Sequence, residues 1–382
     1  MSIWKDRILS ALLAVAVTGA ATAAIWRFAP EKPLFTEGQL RSGITYEATG
    51  VAPDAVIATL EGNTAPAELL TYQIGYSCSY LNYMLQAYGG RELDLNEELP
   101  GAGDARSYIL QQSLDLVKQQ LLVENLAKKY GVTLSEAEEA ELAADRESYI
   151  AELGEEGFRT EVYRLGLSEE GYERMMRANY LYQALYNSYS DPGSALYASD
   201  DVLHAYAAGQ GYITVDHILI PSVDLTTREP LDEETVGQNR AQAEELLSQL
   251  RESEDPIARF KELADQYSQD TGRASYPDGY TFTSGAMVQE FEDAAYALGE
   301  NEISEIVESP YGFHILLRKP LDVSAAADAV REEYFDAFIL GEKDRAEMQV
   351  SPTVEQMSVD AIYDALRAAQ SAGQEAAGAL DG

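Results

Sequence analysis

Histidine and cysteine are nearly missing from this 382-residue chain: it has three of the first and one of the second. Cys78 stands alone, so no intrachain disulfide, Cys-based zinc site or redox pair can form. Basic residues are also scarce, 27 Lys and Arg against 65 Asp and Glu, for a formal charge of −38. That deficit argues against nucleic acid, whose binding depends on neutralising phosphates. It leaves a solvated, self-repelling surface or an acidic face that attracts basic clients. With so few histidines, the placement of one inside Ser309-Pro-Tyr-Gly-Phe-His-Ile-Leu-Leu-Arg318 needs a reason. It lies in an apolar, strand-like run after a Pro/Gly turn, and a buried imidazole without a partner costs about 1–3 kcal/mol.

The chain is longer than one core usually supports, so two or three units are expected. Lys5 and Arg7 precede nineteen uncharged residues, Ile8–Trp26, flanked by Trp4 and Trp26 and closed by Arg27. A helix of that length nearly matches a bilayer core, with Trp at both interfaces. Residues 1–34 therefore read as a membrane anchor or a cleaved signal peptide, since Ala21–Ala24 supplies small residues for cleavage. The basic residues before the run place everything after it on the extracytoplasmic side, single-pass or secreted.

Residues 35–200 are mainly helical in pattern. Val56–Leu60 reads as a strand, Leu110, Leu114, Val117 and Leu121 as the apolar stripe of a helix, and Thr133–Glu136 and Ser168 as helix starts. Gly131 and Gly166 sit where helices would end. Tyr72, Tyr76, Tyr80 and Tyr83 share one helix face, in a chain with 25 Tyr against 9 Phe. Such a stripe serves either as core or as an adaptable contact surface for varied chains. A loop signal, Ser190-Asp-Pro-Gly-Ser194, precedes a compact α/β stretch over 211–321. Residues 322–366 return to helix, and 367–382 are small and polar enough to be disordered.

Within 211–321 the order is βααβαβ-like. His217 lies on the first strand, in Tyr212-Ile-Thr-Val-Asp-His-Ile-Leu-Ile220, and His314 on the last. If these strands are neighbours in one sheet, the two imidazoles can hydrogen-bond to each other. Four segments in order, VDHILI, LADQYSQD, FTSGAMVQEFEDAAYAL and EISEIVESPYGFHIL, make this stretch resemble a parvulin-type peptidyl-prolyl cis-trans isomerase. The wider layout resembles the bacterial extracytoplasmic foldases PrsA and SurA. The resemblance implies an α+β fold: a mainly helical chaperone-like part, a parvulin domain with a small four-stranded antiparallel sheet surrounded by helices, and an N-terminal membrane helix.

It further implies that His217, Asp270 and His314 are catalytic, and that Met287, Phe291 and Ser309 contact substrate. Met287 and Phe291 would form the proline pocket. Tyr280 departs from the pattern, standing where a Gly is common, which puts the rim of that pocket in question. The residue types suit the chemistry. Rotating an X–Pro bond crosses a barrier of roughly 18–20 kcal/mol without breaking a covalent bond, so it needs no nucleophile, metal or cofactor. A dry apolar pocket and polar groups placed for the twisted amide suffice. Read plainly, the same residues are a structural His pair, ordinary core, and an Asp capping the turn at Thr271-Gly272.

Two function classes follow. One is an isomerase and foldase acting on unfolded or newly exported proteins with X–Pro bonds, with the membrane as a second contact and no nucleic acid. The alternative is an ATP-independent holdase with a weak or inactive parvulin domain.

Overall fold

The computed structural model describes residues 38–99 and 101–378, so the apolar run Ile8–Trp26 lies outside the described residues. Among the described residues, no helix is long and apolar enough to cross a membrane. The chain forms two compact units, residues 1–196 with 336–382, and 197–335.

In the first unit, strand Val56–Leu60 pairs antiparallel with Asn63–Pro66 on one side and with Gln349–Val350 on the other. Long helices dominate the rest: Ala67–Gly89, Ala105–Tyr130, Glu136–Arg164, Glu169–Ser188 and Val359–Gly378. Their ends follow local chemistry. Ser168 caps its helix by accepting from the Gly171 N–H, and Gly131 closes another in the left-handed conformation, φ 67°.

The helix start expected within Thr133–Glu136 falls at Ser135, which caps Glu136–Arg164 and forms a capping box with Glu138. Two local expectations need correction. The buried face of Ala105–Tyr130 runs through Ala105, Ile109 and Ser113, leaving Leu110 and Leu114 half-buried, since the stripe drifts around a 26-residue helix. The C-terminal helix also continues to Gly378 instead of ending near residue 366. The segment after 366 is small and polar, but it is rich in Ala, the strongest helix former. The tyrosine stripe on Ala67–Gly89 divides along its length. Tyr72 packs on Phe158 and Val162, Tyr76 stacks on Tyr80, and Tyr83 is exposed.

The second unit holds the sheet. We label its strands β1 (Ile213–Pro221), β2 (Tyr280–Phe282), β3 (Val307–Ser309) and β4 (Gly312–Lys319), and its covering helices α1 (Glu233–Glu252), α2 (Pro256–Tyr267) and α3 (Gln289–Ala297). The order is β2-β1-β4-β3, antiparallel throughout. Period-2 alternation on the central strands explains the two layers. Ile218, Ile220, Phe313, Ile315 and Leu317 face α1 and α2, where they meet Leu246, Leu250, Phe260 and Leu263. Ile213, Val215 and Leu316 face Phe282 and α3, through Phe291 and Ala295. Both faces are covered, so all nine residues of β1 are buried. The β3–β4 turn depends on Gly312: at φ 144° any Cβ would stand 2.3 Å from the Ile220 carbonyl oxygen.

Candidate active site

His217 and His314 sit on the adjacent central strands β1 and β4. Their partners in register are Leu316 and Leu219, so the two histidines are diagonal neighbours on one face of the sheet. Both are buried, at 8% and 4% exposure. The imidazoles do not hydrogen-bond to each other as the strand order had led us to expect. The diagonal offset brings the rings together edge to face instead, with centroids 5.3 Å apart and planes at 69°. The partner of His314 is Ser309, whose Oγ lies 2.7 Å from Nε2. Ser309 is placed by its pairing opposite Gly312 and by accepting from the Tyr311 N–H at 3.1 Å.

His217 is enclosed by rings. Tyr280 on β2 stacks on it at 5.7 Å and 11°, while Phe291 on α3 meets it edge to face at 5.2 Å. Phe291 meets His314 in the same manner at 5.5 Å. Among the described residues, both nitrogens of His217, and Nδ1 of His314, have no hydrogen-bond partner. Burial holds both imidazoles neutral, pushing His217 down to about 4 and His314 down to about 3. The Asp270 carboxylate opposes that shift at His217, and the Arg273 cation adds to it.

Asp270 follows α2 and lies 3.8 Å from His217 Nε2, beyond hydrogen-bond reach. Its Oδ2 accepts from the Tyr280 hydroxyl at 2.6 Å, and its Oδ1 accepts from the Gly272 N–H at 3.1 Å. It therefore caps the turn at Thr271-Gly272 while facing the histidines. Met287 is half-buried and packs on the Phe291 cluster. The six residues singled out from the sequence thus meet in one region, through contacts of the imidazoles with Ser309, Asp270 and Phe291 and of Met287 with the apolar cluster.

Two supporting residues were not anticipated. Glu292, on the first turn of α3, accepts from the N–H groups of Gly285 and Met287 and so fixes the loop that carries Met287. Those donors hold its carboxyl below the ordinary carboxylate range. Asp216 is buried and paired with Arg273 at 2.6 Å; Arg273 also binds Asp265. A Glu just inside a helix start was a visible signal for the first. The second required knowing the fold. His204 is exposed, with Nε2 3.2 Å from the Leu321 carbonyl oxygen. Among the described residues no group of three or more His, Cys, Asp or Glu is placed to hold a metal ion.

The profile of the PPIC-type PPIase (rotamase) domain matches residues 217–319, from the first site histidine to the end of β4. This stretch is a PPIC-type PPIase domain. Beyond it, the chain is 28% identical over 239 residues to the foldase protein PrsA of Oceanobacillus iheyensis, which covers 61% of this chain and 70% of that one. It is 56% identical over 59 residues to foldase protein PrsA 1 of Bacillus cereus, covering 15% of this chain and 20% of the relative. The match to the Bacillus cereus protein thus spans a fifth of that protein's length. The crystal structure of PrsA from Bacillus subtilis aligns over 84% of this chain and 93% of its own at 18% identity, with a TM-score of 0.25. The PPIase domain therefore sits in a chain related to the PrsA foldases.

Proposed function

We propose that the protein is a peptidyl-prolyl cis-trans isomerase and foldase that acts on unfolded exported chains outside the cytoplasmic membrane. One observation supports the reading: the Phe291 ring meets both imidazoles edge to face, setting an apolar surface beside the two histidines. A proline ring held against Phe291 and Met287 leaves the preceding amide beside His217 and His314. Water there is displaced, which removes the solvation that favours the polar planar amide. The neutral imidazoles, through both nitrogens of His217 and Nδ1 of His314, supply hydrogen bonds to the twisted amide. Asp270 is held by Gly272 and Tyr280 and takes no covalent part. On this reading Ile8–Trp26 anchors or exports the chain, and the clients are X–Pro-containing proteins emerging across the membrane.

The test is a protease-coupled proline-isomerisation assay on the chain from residue 38 onward. Phe291→Ala should cut turnover at least tenfold. The ring is buried, so the change also costs about 3–5 kcal/mol of stability. Circular dichroism at the assay temperature must therefore show a folded variant, and a folded Phe291→Ala protein as active as its parent sinks the reading.

A holdase activity in the helical unit is the second reading, favoured by Tyr83 and Tyr88, which are 63% and 83% exposed on helix Ala67–Gly89. Suppression of client aggregation by a protein without turnover would select it.

A further inference from the structure

Tyr280, the departure noted in the sequence, is accommodated specifically by this chain. Its hydroxyl stands where a Cβ on residue 272 would be, 2.0 Å from that ideal position, so Gly272 is the residue that leaves room for it. Gly279 before it adopts φ 97°, where any Cβ would lie 2.6 Å from the Val215 carbonyl oxygen, and this turn aims Tyr280 at the histidines. Tyr276 packs against the outer side of the ring at 4.9 Å.

We propose that Tyr280 is a positioning residue which, by donating its hydroxyl to Asp270 Oδ2, keeps that carboxylate off His217 and preserves a hydrogen-bond-free imidazole for the substrate. The proposal rests on the isomerase reading for its consequence in turnover, but its structural half stands on geometry alone. Asp270 Oδ1 is fixed by Gly272 N–H, and Oδ2 is fixed by Tyr280 at 2.6 Å while His217 Nε2 waits at 3.8 Å. Without the Tyr hydroxyl, His217 Nε2 is a donor for Oδ2 once protonated, only about 0.6 Å beyond the normal hydrogen-bond range. A carboxylate bonded there favours imidazolium and would occupy the nitrogen that the amide needs.

The other groups facing His217 do not substitute for this effect. His314 on β4 is neutral and engaged with Ser309, and Phe291 on α3 is apolar. Glu292 points its carboxylate at the Gly285 and Met287 N–H groups. Arg273 is paired with Asp216 and Asp265, and its charge disfavours imidazolium. Asp216 accepts from the His217 backbone N–H and is paired with Arg273, so among the described residues Asp270 is the carboxylate left to raise the basicity of the His217 ring, and Tyr280 holds it.

The decisive experiment follows the three histidine side chains by NMR from pH 8 to pH 3.5, with exposed His204 as internal reference. Tyr280→Phe keeps the stacked ring and removes only the hydroxyl. The His217 titration should move up by about one pH unit or more, the usual effect of a newly bonded carboxylate. Gly272→Ala, which evicts the hydroxyl by steric contact, should produce the same shift. Adding Asp270→Asn to Tyr280→Phe should abolish it. An unmoved His217 in folded Tyr280→Phe overturns the proposal, as does a shift that persists without the Asp270 carboxylate. In turnover, the parent should be flat down to about pH 5, whereas Tyr280→Phe should lose activity already below about pH 6.5. Identical profiles overturn the functional half. A parent inactive at every pH refutes the isomerase reading instead, and the titration still decides the role of Tyr280.

Discussion

Ser309 Oγ lies 2.7 Å from His314 Nε2, across the turn that joins β3 to β4. It is the one protein hydrogen bond to either site imidazole, and it fixes the ring that Phe291 meets from α3.

Replacing Ser309 with Ala should therefore leave His314 with no partner at either nitrogen. A buried orphan of this kind costs about 1–3 kcal/mol, and a ring free to turn should lower turnover several-fold. Ser309→Thr, which keeps the hydroxyl, should recover most of both. Urea melts and isomerisation rates of the two variants check this; equal behaviour of Ala and Thr would contradict it.

The buried histidines predict an acid-sensitive fold. Their folded values, about 4 for His217 and about 3 for His314, lie below the ordinary value of about 6.5. Between these limits the unfolded chain binds more protons than the native one. Their contribution is complete above about pH 6.5 and is lost as pH falls toward 4, by up to about 1.4 kcal/mol per pH unit for each histidine. His314→Gln should flatten that slope by one histidine's share in denaturant melts across pH 7 to 4.5. A variant slope equal to the parent's would remove His314 as a source.

The residue before proline should be apolar or basic. In the loop after β1, Arg228 is the only base between 218 and 230, and it is engaged, its guanidinium 4.8 Å above the Tyr311 ring and donating to the Tyr311 hydroxyl at 2.8 Å. Residues 211–321 carry 8 Lys and Arg against 22 Asp and Glu, a formal charge of −14. An anionic residue, phosphoserine above all, should be repelled. Matched peptides with Leu, Lys, Glu and phosphoserine before proline test this, and fastest turnover of the phosphoserine peptide refutes it.

The mostly apolar runs of β1 and β4 made both covered faces of the sheet readable, because a strand covered on both sides is mainly apolar. His217 and His314 were conspicuous for that reason. Their mutual geometry was not legible, because the β1–β4 pairing register decides whether two strand residues are opposite or diagonal, and these strands are joined by no tight turn that would fix it locally. Asp270 was legible both as a turn cap, which it is, and as a residue facing His217. Its distance from His217 depends on Tyr280, which is ten positions away and arrives from the far edge of the sheet. The last turns of the C-terminal helix, beyond residue 366, were missed because their small polar composition resembles a solvated tail.

His217 and His314 are ninety-seven residues apart and meet only when β1 pairs with β4. Neither helical hairpin formation nor any local turn can assemble that pair; closing the longest loop of the domain comes first, an entropic step that slows folding of sheets with distant partners. A chain emerging in order from its N-terminus would therefore carry half an active site, with the β4-facing edge of β1 unpaired, until the last strand appears. The protein proposed to speed slow steps in other chains has a slow step of its own, and the first strand must stay unaggregated while it waits.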